Sequence, residues 1–173
     1  MGFSEDTPRH TWILSAAEGA LSFEVYVHWF DRGEPAGVPR AAVRPLFPVV
    51  DAESEPDYWS VRYDDLNSCH VSITSSVSDP AAVESLCVFR PCGDPRLWDA
   101  LLAVMRLGSA VLYFPGDGSP LVAGESAVGH LPAEIVQAMG RPRVIRSGRE
   151  MLAAIEDAEP LSWPPNLNQN ENP

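Results

Sequence analysis

The chain has 173 residues and a formal net charge of −12, and its 12 cationic residues are all arginine. The lack of lysine excludes a Schiff-base lysine and the lysine of a P-loop, since both chemistries need an amine. The acidic balance argues against nucleic acid as a partner, because phosphate binding depends on clustered cations. No apolar run reaches the roughly 18 residues of a membrane span, so we expect no membrane partner.

The three cysteines, an odd number, do not form a closed set of disulfides. Residues 1–8 are polar and acidic, which is unlike the apolar region of a secretory signal. Both features favour a reducing compartment, so we expect a cytoplasmic protein. The composition, rich in Arg and Ala, favours a bacterial source.

The first half of the chain alternates apolar and polar residues, the pattern typical of β-strands. A hairpin is predicted over residues 11–30, with Thr11–Ala16 as its first strand. Residues 43–50 are β-like but contain two prolines, which predicts an edge strand or an extended loop. Further strands are predicted at Tyr58–Tyr63, Cys69–Val77 and Ser85–Phe89.

Helical signals dominate the second half. Asp94 followed by proline is typical of a helix start, and an apolar stripe at helical spacing continues to Met105. Helices are also predicted over Pro132–Met139 and after Ser147, which with Glu150 matches a capping box. Short strands are predicted at Ala110–Phe114, Leu121–Ala123 and Val144–Ile145.

These elements predict an α+β fold, in which a mostly antiparallel sheet in the N-terminal half carries three C-terminal helices on it. We expect residues 1–159 to form one domain. Residues 160–173 are rich in proline and asparagine, which predicts a flexible tail with Trp163 as its one large apolar residue.

The most distinctive segment is residues 51–65, in which six carboxylates are interleaved with three aromatic residues. Arg62 is the only cationic residue of the segment. If residues 51–57 are extended, their four carboxylates share one face. Charges of this kind steer a basic partner into place, while tyrosine and tryptophan anchor it. The alternative is an ordinary solvated acidic loop. The candidate partner-binding residues are Asp51, Glu53, Glu55, Asp57, Tyr58, Trp59, Tyr63, Asp64 and Asp65.

Other candidate sites have weaker support. The four histidines match no zinc spacing, so we expect no metal and no cofactor. Cys92 precedes a helix, but Asp94 disfavours its thiolate and no base is evident. Arginines 141, 143, 146 and 149 form the only basic cluster, and we expect them to pair with nearby acids rather than bind an anion.

We therefore interpret the sequence as a non-catalytic module that binds a basic protein. The best match is a bacterial immunity or inhibitor protein that neutralises a toxin, such as a nuclease effector, by occluding its active or substrate-binding site. One alternative is an enzyme that pairs His70 with Asp64 or Asp65. Another is a scaffold or secretion-associated adaptor with an exposed apolar patch around Trp12, Trp29 or Trp163.

Overall fold

The computed structural model of the chain describes residues 23–158, in which nine strands form one sheet and five helices are present. The strands are β1 (Glu24–Asp31), β2 (Glu34–Ala36), β3 (Val38–Pro39), β4 (Tyr58–Arg62), β5 (Ser68–Ser75), β6 (Ala82–Phe89), β7 (Ala110–Tyr113), β8 (Leu121–Val122) and β9 (Arg143–Val144). The helices are α1 (Arg40–Val43), α2 (Pro95–Met105), α3 (Glu125–Val128), α4 (Ala133–Met139) and α5 (Gly148–Glu156).

The predicted α+β fold is confirmed. The sheet runs in the order β4-β5-β6-β1-β7-β8-β9, with β2 and β3 paired to β1 and β6, and every pairing except β8–β9 is antiparallel. The three predicted helices are present as α2, α4 and α5. Strand β1 lies between β6 and β7, which occupy both of its edges. The predicted hairpin strand Thr11–Ala16 and the predicted tail 160–173 lie outside the described residues.

Local chemistry explains where the two longest helices begin. The side chain of Asp94 accepts a hydrogen bond from the backbone N–H of Arg96, which caps α2. The Ser147 hydroxyl accepts from the backbone N–H of Glu150 at 3.1 Å, as the capping box predicts. The Glu150 carboxylate, however, accepts from the N–H of Arg146 instead of that of the cap residue.

The prediction for residues 43–50 is only partly right. Helix α1 ends at Val43, and Arg44–Leu46 forms a 3₁₀ turn before the chain becomes extended and bridges Val49 to Val61 of β4. The physical reason is Pro45, which occupies the start of the 3₁₀ turn, where its fixed φ favours helical geometry. Proline there starts a turn rather than interrupting a strand.

The main core lies on one face of the sheet. Strand β1 buries Val25, Val27 and Trp29 on this face, and α2 and α5 pack against each other within the same core. Trp29 is 1% exposed, so it is no part of the exposed apolar patch that the adaptor alternative requires. Trp12 and Trp163 lie outside the described residues.

Within residues 23–158, the opposite face is covered at one end only. A smaller cluster that includes Phe30, Val111 and Leu131 packs where α3 and α4 meet the β7–β8 end. Over β4, β5 and β6 the side chains of this face are exposed or half-buried, apart from Ser60, which is buried. Cross-strand register keeps them on one side of the sheet. We call this surface the open face, and it comprises Tyr58, His70, Ser72, Thr74, Cys87 and Phe89.

Candidate functional site

Residues 51–65 do not form one extended acidic strand. Asp51–Glu53 is a 3₁₀ turn, Glu55 and Tyr58 close a tight turn through a β-bridge, and only then does β4 begin. The extended conformation that would place the four carboxylates of residues 51–57 on one face is therefore not formed. The turn reorients the chain so that successive carboxylates meet different neighbours.

Four of the six carboxylates in this segment form ion pairs with arginine. Glu53 accepts two hydrogen bonds from Arg62, both at 3.0 Å. The remaining three pairs involve arginines from outside the segment, and they are Asp51 with Arg44, Asp57 with Arg40 at 2.7 Å, and Asp64 with Arg96 at 2.8 Å. Each exposed pair contributes little stability alone. Together they neutralise most of the charge that the segment carries in the sequence.

Glu55 and Asp65 are the two remaining carboxylates. Both are exposed, and neither forms an ion pair with any residue in the described part of the chain. They are thus the two charges of the segment that a basic partner could contact without first breaking an ion pair among residues 23–158.

The three aromatic residues of the segment occupy different environments. Trp59 is 1% exposed, packs near Phe47, and donates its indole N–H to the Pro56 carbonyl at 3.1 Å. Tyr63 is half-buried against the main core, and burial raises the pKa of its hydroxyl. In this conformation Trp59 and Tyr63 support the fold. Only Tyr58 presents much of its ring to solvent, at 38% exposed.

Tyr58 belongs to an aromatic cluster on the open face. Its ring stacks on that of His70 with centroids 5.2 Å apart and planes 19° apart, and it lies 6.2 Å from the ring of Phe89. His70 and Phe89 are direct cross-strand partners on β5 and β6. Phe89 is not predicted as a site residue from the sequence, and His70 is predicted in a different role, because this grouping depends on the register of three strands.

A shallow depression of about 220 Å³ adjoins this cluster, and its lining includes Glu53, Ser60, Arg62, Ser68 and His70. The Ser60 hydroxyl donates to the Glu53 carbonyl at 3.0 Å and lies 3.4 Å from Nδ1 of His70. The Glu53 carbonyl is the closer acceptor for this hydroxyl, and 3.4 Å is long for a hydrogen bond to His70. This is not the geometry of a serine nucleophile activated by histidine.

The proposed pairing of His70 with Asp64 or Asp65 is not formed. Asp64 instead accepts hydrogen bonds from the backbone of Leu66 and Asn67 and from Arg96. The Asn67 side chain and these backbone bonds lower the pKa of Asp64, which keeps it ionised. The geometry therefore provides no His–carboxylate pair at this position.

Two of the three cysteines are protonated thiols that are buried or half-buried. Burial raises the pKa of both Cys69 and Cys87 to about 12, so these thiols stay protonated at neutral pH. Cys92 is half-buried against the main core. Within residues 23–158, no group of three or more His, Cys, Asp or Glu side chains is arranged to hold a metal ion.

The basic cluster differs from its expected arrangement. Arginines 141, 143, 146 and 149 are all exposed, and none forms an ion pair with an acid in residues 23–158. Glu150, an expected partner, instead accepts the backbone N–H of Arg146. Within residues 23–158 the charge of this cluster is therefore not offset by ion pairs, whereas most of the negative charge of the acidic segment is.

Comparison with protein-family models, with curated proteins and with solved structures found no match for this chain. Among the helices of residues 23–158, none combines the length and apolar character needed to cross a membrane.

Proposed function

We propose that the chain is a non-catalytic module that binds a basic protein and neutralises it by covering its active or substrate-binding site. In this proposal it acts in the cytoplasm as an immunity or inhibitor protein, and a nuclease toxin is the kind of partner that fits. The observation that carries the proposal is the exposed Tyr58 ring, ordered by His70 and Phe89 on the open face.

The aromatic cluster is suited to anchoring a partner. Exposed tyrosine is among the residues that contribute most to binding energy at protein interfaces. Here the ring is held by two neighbouring rings, so less conformational freedom is lost when a partner covers it. The surrounding Ser72 and Thr74 are small, which allows a partner to approach the sheet closely.

The charges beside the cluster favour a basic partner. Glu55 lies in the turn that leads into Tyr58, and its carboxylate has no ion pair in the described residues. The net charge of −12 adds a long-range field that attracts a cationic protein. Charge complementarity of this kind mainly raises the association rate and disfavours wrong partners.

The test is to capture a basic protein from a bacterial lysate, purify it, and measure its binding to defined variants. Tyr58→Ala should weaken binding by about tenfold or more, mainly through faster dissociation. Glu55→Gln combined with Asp65→Asn should slow association several-fold at low salt, and this difference should shrink as salt screens the charges.

The matched control is Glu156→Gln combined with Glu125→Gln, which removes the same number of exposed charges at sites away from β4 and β5. Neutralising Asp51, Glu53 and Asp57 is a poorer test, because it also leaves three arginines unpaired. If the control variant loses as much binding as the Tyr58 and Glu55/Asp65 variants, the proposed surface is wrong.

A further inference from the structure

The hairpin between β4 and β5 presents a large apolar side chain at its tip. Leu66 is 93% exposed, and it follows the exposed Asp65, which has no ion pair within the described residues. Single exposed apolar residues are common on protein surfaces and need no function. The feature that distinguishes Leu66 is how firmly the turn beneath it is held.

One carboxylate organises this turn. Oδ1 of Asp64 accepts hydrogen bonds from the backbone N–H groups of Leu66 and Asn67, each at 3.0 Å, and from the Asn67 side chain at 2.8 Å. The backbone N–H of Tyr63 closes the hairpin by donating to the Asn67 carbonyl at 2.9 Å. The backbone on both sides of Leu66 is therefore fixed.

Ion pairs also connect this turn to helix α2. Oδ2 of Asp64 pairs with Arg96 at 2.8 Å, and Arg96 also pairs with Asp94, the cap of α2, at 2.6 Å. The guanidinium of Arg96 lies 5.2 Å from the centre of the Tyr63 ring. These contacts connect the hairpin tip to α2, so the backbone that carries Leu66 is held from both sides of the turn.

We propose that this tip is the inserting element of the interface, in which Leu66 enters an apolar pocket on the basic partner. Asp65 then faces a cation at the rim of that pocket. This inference rests on the proposed function and specifies which part of the molecule makes the central contact. A preordered apolar tip binds with little entropy cost, because neither its backbone nor its support must be arranged first.

The hairpin tip and the aromatic cluster belong to one continuous surface. The depression that is lined by Arg62, Ser68 and His70 lies between the hairpin tip and the ring of Tyr58. A partner that contacts Tyr58 can therefore extend along β4 and β5 to Leu66 without leaving the same edge of the sheet.

The chain provides a matched control at the opposite end of β5. Val77 is fully exposed in the turn between β5 and β6, so it has the same apolar character and the same exposure as Leu66. Leu66→Ser and Val77→Ser are compared in binding to the purified basic partner, with thermal unfolding as a check on folding. We expect Leu66→Ser to weaken binding by about tenfold or more and Val77→Ser by less than about twofold.

The outcomes separate the two proposals. If Tyr58→Ala weakens binding while Leu66→Ser binds like the wild type, the tip proposal is overturned and the proposed function stands. Equal losses of binding affinity for Leu66→Ser and Val77→Ser also overturn it, because the effect is then not specific to the hairpin tip. If the wild-type protein binds no basic protein, both proposals fail.

A second measurement needs no partner. Backbone ¹⁵N relaxation of the free protein should give the Leu66 and Asn67 amides order parameters near those of β4, about 0.85. Asp64→Ala should lower these order parameters and weaken partner binding together. If the tip is already mobile in the wild-type protein, the preordering argument and the proposal that depends on it are overturned.

Discussion

At the scale of single residues, the clearest contrast is between Tyr58 and Trp59, which are adjacent in the sequence. Successive side chains of a strand point to opposite faces, so one ring lies on the open face and the other enters the core beside Phe47. The sequence shows this alternation, but it does not show which face the helices cover. The two residues consequently differ in role despite their similar chemistry.

Substitution should separate the two roles. Trp59→Ala should lower the free energy of unfolding by about 3–5 kcal/mol, because it leaves a cavity in the core. Tyr58→Ala should lower it by roughly 1 kcal/mol or less, since only ring contacts at the surface are lost. Chemical denaturation of both variants measures these changes in the free energy of unfolding. A larger loss for Tyr58→Ala would contradict the assignment.

A second prediction at this scale concerns acid. The side-chain hydrogen bond from Arg96 lowers the pKa of Asp94 below its usual 3.8. Because the pKa is lower in the folded protein, the stability that the charge contributes is present above about pH 4 and is lost as the pH falls through the folded-state pKa. Asp94→Asn keeps a good cap but removes this titration.

The wild type should therefore lose more stability than Asp94→Asn between about pH 4 and pH 2, measured by denaturant unfolding at each pH. Asp65→Asn is the control, since Asp65 has no ion pair in the described residues, and it should follow the wild type. Parallel curves for the wild type and Asp94→Asn would show that the Arg96 pair contributes nothing to stability.

At the scale of secondary structure, elements with local signals were predicted well. Helix α2 has its cap, its proline and its apolar stripe within Asp94–Met105. Strand β4 shows its alternation within five residues. The one-turn helices α1 and α3 were not predicted, because they are too short to show a helical period and are set by the packing around them.

The candidate site was harder to predict because its geometry depends on distant contacts. The turn at residues 51–57 is held by Arg40 and Arg44, and the hairpin tip by Arg96, none of which belongs to the acidic segment. The aromatic cluster needs β4, β5 and β6 in register. Sequence proximity could identify the segment, but it could not show which of its charges are already paired.

The packing of α5 on α2 gives a prediction for this scale. Gly148 begins α5 where it crosses α2, and a Cβ atom there would lie 2.5 Å from the carboxylate and 2.6 Å from the backbone nitrogen of Asp99. Gly148→Ala should therefore cost about 1–3 kcal/mol of unfolding free energy, since backbone must move. Gly93→Ala is the control, since an added Cβ there would have no described atom within 4 Å apart from its chain neighbours, and it should be near neutral in thermal and chemical unfolding.

At the scale of the whole molecule, the segment that is richest in acids in the sequence is not the region with the most unpaired charge. Among the described residues, the six acids of residues 51–65 leave only Glu55 and Asp65 without an ion pair, whereas none of the arginines of residues 141–149 forms one. The net charge of −12 still favours a basic partner at long range. The short-range contact is then decided by the exposed aromatic cluster and the hairpin tip.

The most direct test of this account is an amide chemical-shift titration of the labelled protein with its purified basic partner. We predict that the largest changes fall on Glu55–Tyr58, on Asp65–His70 and on Phe89, which belong to the open face, the turn that leads into it and the hairpin tip. Changes confined to α4 or to residues 141–149, with none on the open face or the hairpin tip, would contradict it.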